Sequence, residues 1–256
     1  MNNHLDTVHS RFDPRARAYL DSAVHAAGAD LQCARECVAG LPARPARALD
    51  LGCGAGHLAY ALAPEVEQLV ALDASASMLE VVRETAEGRG LRNLQVQAAD
   101  VHRLPYANAS FDLVATRYSA HHWSDLELAM AEARRVLRPR GHLLVIDIAA
   151  PQQALLDTHL QAIELLRDTS HVRNRSRAQW LRLLQDIGSE VLLERQWPTR
   201  LQFDSWVQRM QTPQPMVEAI RRLLQGAPRE VREGLQVEAD CSFTAATTLW
   251  WARCPA

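Results

Sequence analysis

The chain has 256 residues, 48% of them apolar and 23% charged, with a formal net charge of −2. That length buries a good core as one domain, and the near-neutral charge leaves no electrostatic footprint for nucleic acid or an anionic membrane. Every one of the 28 Lys-plus-Arg positions is arginine, which excludes a Walker-A phosphate site, a pyridoxal Schiff base and lysine-dependent dehydrogenase chemistry.

Residues 1–44 read as helical and amphipathic, with Pro42 and Pro45 as a boundary. From Ala48 to Ala150, short apolar runs bounded by turn residues alternate with helical patterns. The runs are Ala48–Leu51, Leu69–Leu72, Leu94–Gln97, Phe111–Ala115 and Leu143–Ile148. Ser77-Met78-Leu79-Glu80 offers a capping box for one helix, which Gly88 and Gly90 end. Ser124-Asp125-Leu126-Glu127 offers a better one, followed by Leu126, Met130, Ala133 and Leu137 at helical spacing and stopped by Pro139 and Gly141. Strands this apolar, separated by helices, argue a parallel sheet covered on both faces, with ligands at the strands' carboxyl ends.

After Pro151, helical patterns cover Ala154–Arg167 and Ala178–Ile187, the second with a Ser176-x-x-Gln179 cap and a Gly188 stop. A strand at Glu190–Gln196, more helices between Phe203 and Leu235, and an alternating run Cys241–Cys254 follow, the last suited to an antiparallel strand. The expectation is a single α/β domain with a seven-stranded, mostly parallel sheet, its last strand antiparallel. The five cysteines are scattered, and Cys33-x-x-x-Cys37 has no second ligand pair, so no metal site is expected. The polar N-terminus shows no signal-peptide pattern, and the best apolar run is broken by Asp147. A cytoplasmic protein without an integral membrane segment is expected; oligomeric state is not readable.

The most informative stretch is Leu49-Asp50-Leu51-Gly52-Cys53-Gly54-Ala55-Gly56. Glycine at every second position lets the chain turn sharply and lets backbone N–H groups approach a ligand. A dinucleotide fingerprint would need its third glycine at position 57, which is histidine. The pattern present, D-x-G-x-G-x-G, resembles the first motif of class I S-adenosylmethionine (SAM) methyltransferases.

SAM offers a carboxylate, an ammonium, a ribose diol, an adenine edge and a cationic sulfur. Asp73, 17 residues past Gly56, has two acceptor oxygens suited to a ribose diol, although it could merely cap the next helix. Asp100 could accept from the adenine amino group beside Val101. Met78 could lie on the adenine face or simply belong to the core, Asp50 could be a buried capping acid, and Arg117 offers its backbone to the methionine end.

The ordered set LDLGCGAG, LDAS, AADVHRLPY, FDLVATRYSAHHW and VLRPRGHLLVID over residues 45–150 is similar to the class I SAM-dependent methyltransferase core, with its Rossmann-like fold. By this resemblance Gly52, Cys53, Gly54 and Gly56 pass the methionine end, Asp73 and Ala74 the ribose, and Asp100 with Val101 the adenine. SAM is then the cofactor and S-adenosylhomocysteine the product. One departure is Pro139-Arg140-Gly141, where relatives usually carry Pro-Gly-Gly.

The acceptor should enter beside Arg117-Tyr118-Ser119-Ala120-His121-His122-Trp123. A histidine there can act as a base near neutral pH, and His121 is favoured slightly over His122, which with Tyr118 is assigned to the substrate; a satisfied loop histidine is the plain alternative. Arg167-Asp168-Thr169-Ser170-His171-Val172-Arg173-Asn174 is either a solvated connector or an anion clamp and acid–base site. His171 is a second candidate base, and Arg167 and Arg173 are candidate acceptor anchors. With FDSWVQRM near Phe203, these segments resemble the YafE/YcgJ-type bacterial methyltransferases over nearly the whole chain, and through the core only, the ubiquinone/menaquinone C-methyltransferases. The resemblance implies an N-terminal lid carrying Phe12, Tyr19, His25 and Asp30, with Tyr19 at the substrate, over residues 1–44; a SAM-binding core over 45–150; and a C-terminal half covering the substrate over 151–256.

No Asn/Asp-Pro-Pro-aromatic turn follows the fourth strand, and no nucleophilic cysteine stands there, so a small molecule is expected as acceptor rather than nucleic acid. The expected function is methyl transfer to a carbon or oxygen of a small organic acceptor, quinol- or phenol-like or a carboxylate. The rival is a SAM-binding protein without turnover, acting as a sensor or partner subunit.

Overall fold

The computed structural model describes residues 3–20 and 28–255. Among the described residues one seven-stranded sheet runs in the order β3-β2-β1-β4-β5-β7-β6. Its strands are β1 (Arg47–Leu51), β2 (Gln68–Asp73), β3 (Leu94–Ala98), β4 (Phe111–Arg117), β5 (Leu137–Ala149), β6 (Glu190–Leu201) and β7 (Phe243–Arg253). The first five pair in parallel, and β7 runs antiparallel to both β5 and β6.

Successive side chains on a strand point to opposite faces, and here both faces are apolar. Leu49, Val114, Val145 and Trp250 enter one core with Trp180, while Ala48, Leu113, Leu144 and Leu249 enter the other with Leu58 and Leu62. A sheet buried on both sides is what the continuous apolar runs encode.

The helices are α1 (His4–Phe12), α2 (Ala16–Leu20), α3 (Ala29–Ala39), α4 (His57–Leu62), α5 (Ala76–Gly88), α6 (Leu126–Val136), α7 (Ala154–Arg167), α8 (Arg177–Asp186), α9 (Phe203–Arg209), α10 (Gln214–Gln225) and α11 (Arg229–Gly234). The reciprocal Ser176–Gln179 box at α8 forms as its sequence requires. Two other caps shift. Ser75, not Ser77, accepts the Met78 N–H of α5, because Asp73 Oδ1 takes the Ser75 N–H (2.9 Å) and fixes the turn two residues earlier. Asp125, not Ser124, accepts the Leu128 N–H of α6 (2.9 Å).

Pro139 and Gly141 do not end a helix. Helix α6 stops at Val136 and the chain enters β5 directly, with a register shift between Phe111 and Leu113 and Arg140 in the left-handed region (φ 63). Strand β6 runs on past Gln196 to Leu201; as an edge strand it tolerates Pro198, which lies opposite Ala246. No helix among the described residues is long and apolar enough to cross a membrane. Order reverses on either side of β1, and a cleft opens at the carboxyl ends of β1, β2 and β4.

Candidate functional site

The loop after β1 divides its three glycines among different tasks. Gly52 (φ 62) packs against the loop after β4, where a Cβ would meet Ser119 Oγ at 1.9 Å. Gly56 (φ 86) packs under Tyr60 and Val82 and does not line the cleft. Gly54 (φ 50) lines it, and a Cβ there would meet nothing within 4 Å. Only Gly54 leaves open space for a ligand against the backbone.

Around that loop, Asp50, Cys53, Asp73, Ala74, Met78, Asp100, Val101 and Arg117 line the same cleft. Asp73 Oδ2 accepts the Gly54 N–H (2.8 Å), tying the second strand's acid to the first strand's loop, and burial raises its pKa. Asp50 is 1% exposed, and neither carboxylate oxygen has a hydrogen-bond partner among the described residues. Burial, then the charge of Asp73, pushes its pKa up to about 8. Such an acid calls for a cation or a donor from a ligand.

Asp100 is positioned by a residue the sequence reading passed over. Its Oδ1 accepts the His102 backbone N–H (2.9 Å) and stands 2.6 Å from His102 Nδ1, while His102 Nε2 accepts the Asp125 N–H (3.2 Å). The ring is thereby fixed with its proton on Nδ1, donating to Asp100. The Arg117 side chain is tied down at the cleft: its Nε donates to buried Asp30 Oδ2 at 2.5 Å.

Helix α1 forms one wall of the cleft through His4, Leu5, Val8 and Phe12. His4 Nε2 donates to the His122 carbonyl (2.8 Å), and Ser75 Oγ donates to Asp13 Oδ1 (2.5 Å). The expectations for the Tyr19 side chain and for His25 lie outside the described residues.

Phe12, Tyr118 and His122 also border a second, smaller cavity, completed by His121, Ile148, Glu164, Arg167, Asn174, Thr199, Leu201, Trp206 and Arg209. His121 Nδ1 stands 2.6 Å from Asp147 Oδ1, and its backbone N–H donates to Oδ2 (3.2 Å). Burial alone would lower the pKa of His121, but the charge and hydrogen bond of Asp147 outweigh it and raise the value above the ordinary one. With its proton held on Nδ1, the ring presents Nε2 as the basic atom. Asp147 was legible only as an interruption of an apolar run, yet a lone acid inside a buried strand was signal enough.

The neighbouring histidines are different. His122 Nδ1 donates to the Ser170 carbonyl (3.1 Å), and burial, then the charge of His121, lowers its pKa to about 4. His171 lines neither cavity; its Nε2 donates to Gln161 Oε1 (3.0 Å), and burial followed by repulsion from His121 and His122 lowers its pKa to about 2. Arg173 turns away to Asp157 (2.6 Å) and lines neither cavity. Arg167 does face the second cavity, held by the Trp206 carbonyl (3.0 Å) and by Glu164 (3.6 Å). Glu164, Asn174 and Arg209 join it there, although sequence reasoning gave them no role.

Residues 49–145 match the family model described as "Methyltransferase domain". The chain is similar to the uncharacterized protein YafE of Escherichia coli, 42% identical over 196 residues, 76% of this chain and 94% of that one. It is 35% identical over 233 residues to the uncharacterized methyltransferase YcgJ of Bacillus subtilis, 89% of each chain. The crystal structure of YcgJ matches with a TM-score of 0.82 at 31% identity, over 89% of this chain and 98% of that one. The chain belongs to the class I SAM-dependent methyltransferases. It is also related to quinone C-methyltransferases: the demethylmenaquinone methyltransferase of Thermus thermophilus is 38% identical over 128 residues, 48% of this chain and 57% of that one.

The first cavity fits SAM. Asp50 supplies an unpartnered buried carboxylate for a cation, Gly54 an open backbone approach, and Asp73 at the end of β2 and Asp100 two residues past β3 supply further acids in order. These residues would hold the cofactor, which when bound supplies an electrophilic methyl group.

Proposed function

We propose that this methyltransferase acts on a carbon or oxygen of a small organic acceptor, quinol- or phenol-like or a carboxylate, seated in the second cavity with His121 as general base. The observation that carries the reading is the shared wall: Phe12, Tyr118 and His122 border both cavities, so an acceptor in the smaller one lies next to the cofactor cleft. Methyl transfer from a sulfonium is an in-line displacement, in which the protein contributes orientation, exclusion of water and removal of the acceptor's proton.

The residues divide that work. Phe12, Ile148, Leu201 and Trp206 offer apolar walls for a carbon skeleton, and Asp147 keeps the His121 ring in the tautomer that accepts at Nε2. The N-terminal segment closes both cavities through α1. The relation to the demethylmenaquinone methyltransferase of Thermus thermophilus supports the quinol-like member of that group.

The test is incubation with methyl-labelled SAM and a panel of quinols, phenols and carboxylates, with identification of the labelled product. Transfer to one of these that is lost in His121→Gln is the expected result. Tight SAM binding without any methylated product would instead place the chain among cofactor-binding proteins without turnover.

A further inference from the structure

Two imidazoles on the wall of the second cavity present bare nitrogens. The Ser170 carbonyl can only accept, so His122 carries its proton on Nδ1 (3.1 Å) and keeps the lone pair of Nε2. Asp147 fixes His121 in the same tautomer (2.6 Å). The two ring centroids lie 4.3 Å apart, and both rings line the cavity. Among the described residues none donates a hydrogen bond to either Nε2. The wall hydroxyls of Tyr118 and Thr199 are both engaged with Thr247 Oγ1, at 2.8 and 2.6 Å.

Neighbouring acceptors call for neighbouring donors on a ligand. An ether, a carbonyl or an ionised carboxylate would set lone pair against lone pair there. One hydroxyl for each ring satisfies both, and rings packed this closely suit hydroxyls on adjacent carbons. Phe12 and Trp206, on the same cavity, suit a flat aromatic body.

The two imidazoles do different work. His121 takes the proton as the base proposed above. Burial, then the charge of His121, holds the His122 pKa at about 4, so His122 accepts a hydrogen bond without taking the proton. His122 also borders the cofactor cleft, so a hydroxyl held there is aligned with the side from which the methyl group comes.

Resting on the function proposed above, we infer that the acceptor is of the catechol type, an aromatic ring with two adjacent free hydroxyls, and that His122 is the specificity residue that reads the second of them.

The experiment loads the full chain with S-adenosylhomocysteine and measures, by calorimetry at about pH 8, the binding of catechol against phenol, guaiacol and hydroquinone. Catechol should bind about tenfold more tightly than each of the others, the ordinary effect of leaving one buried acceptor unpaired. In His122→Phe, which keeps a ring beside Phe12, that preference should vanish. His122→Gln, whose amide again offers an acceptor, should restore part of it. A merely structural His122 would weaken all four ligands together and leave their ratios unchanged. Unchanged ratios in His122→Phe, a comparator that binds the wild type as tightly as catechol, or no binding of any of the four would overturn the inference. The wild-type series decides it even where neither variant folds. A chain that does not bind S-adenosylhomocysteine at all would sink the underlying reading instead.

Discussion

Asp147 Oδ1 stands 2.6 Å from His121 Nδ1 and also accepts the Ile148 N–H at 2.8 Å, so the acid is fixed by its own strand before it fixes the imidazole. A base must be deprotonated to act, and the pKa of His121 is raised by Asp147 against the lowering effect of burial. The rate should therefore fall on the acid side with a midpoint above about 6.5, the ordinary histidine value. In Asp147→Asn burial is opposed only by the charges of Glu164 and Asp168, which rank behind Asp147, so the midpoint should move down while kcat falls by about 100-fold, the low end for lost acid–base catalysis. A pH–rate profile of both proteins checks the pair of shifts. An unchanged midpoint in the variant would count against the dyad.

Asp50 makes the empty fold sensitive to pH. Its folded-state pKa of about 8 lies above that of an unfolded carboxyl, so the cost of keeping it grows as pH rises from about 4 to about 8 and is absent below. Asp50→Asn should therefore raise the melting temperature at pH 8 but not near pH 4, with a gain of about 1–3 kcal/mol at the higher pH. The same substitution should weaken SAM binding. In the wild type at pH 7, binding of the cationic cofactor should release a proton, visible as a buffer-dependent heat in calorimetry.

The glycine loop predicts two unlike alanine variants. Gly52→Ala places a Cβ 1.9 Å from Ser119 Oγ, so the loop after β4 must move, and stability should drop by about 2 kcal/mol or more. Gly54→Ala meets no neighbour and pays only for its left-handed backbone, about 1 kcal/mol. Its methyl group occupies the cofactor's approach, so SAM affinity should fall far more than stability. Thermal melts and calorimetry on both variants separate the cases.

Arg140 sits at φ 63 in the entrance to β5, a left-handed position that favours glycine. It is exposed, and its backbone N–H donates to the Pro255 carbonyl (3.2 Å), a bond that glycine would keep. Relief of the left-handed strain less the entropy of glycine leaves a gain of about 0.5–1 kcal/mol for Arg140→Gly. Denaturant unfolding should show it as a higher midpoint with an unchanged slope.

The residues around the first cavity were legible because their signals are local. Apolar runs specify strands, alternate glycines specify the turn, and the acids Asp50, Asp73 and Asp100 fall at successive strand ends, where the topology converges them. The second cavity depends on contacts between distant segments: His121 meets Asp147 across 26 positions, and Arg167 meets the Trp206 carbonyl across 39. Chain proximity misled there. His171 and Arg173 share a polar run with Arg167 and Asn174, but the first binds Gln161 and the second Asp157, both outside the cavity. The caps of α5 and α6 show the same limit at smaller scale, since Asp73 chose the serine that caps α5.

Phe12 belongs to the walls of both cavities. For anyone redesigning this catalyst, that makes α1 a poor place to begin. An exchange at Phe12 made to admit a bulkier acceptor will also loosen the seat of the cofactor, so gains in scope will be traded against saturation by SAM. Trp206 and Arg209 border the smaller cavity alone and offer the independent handle.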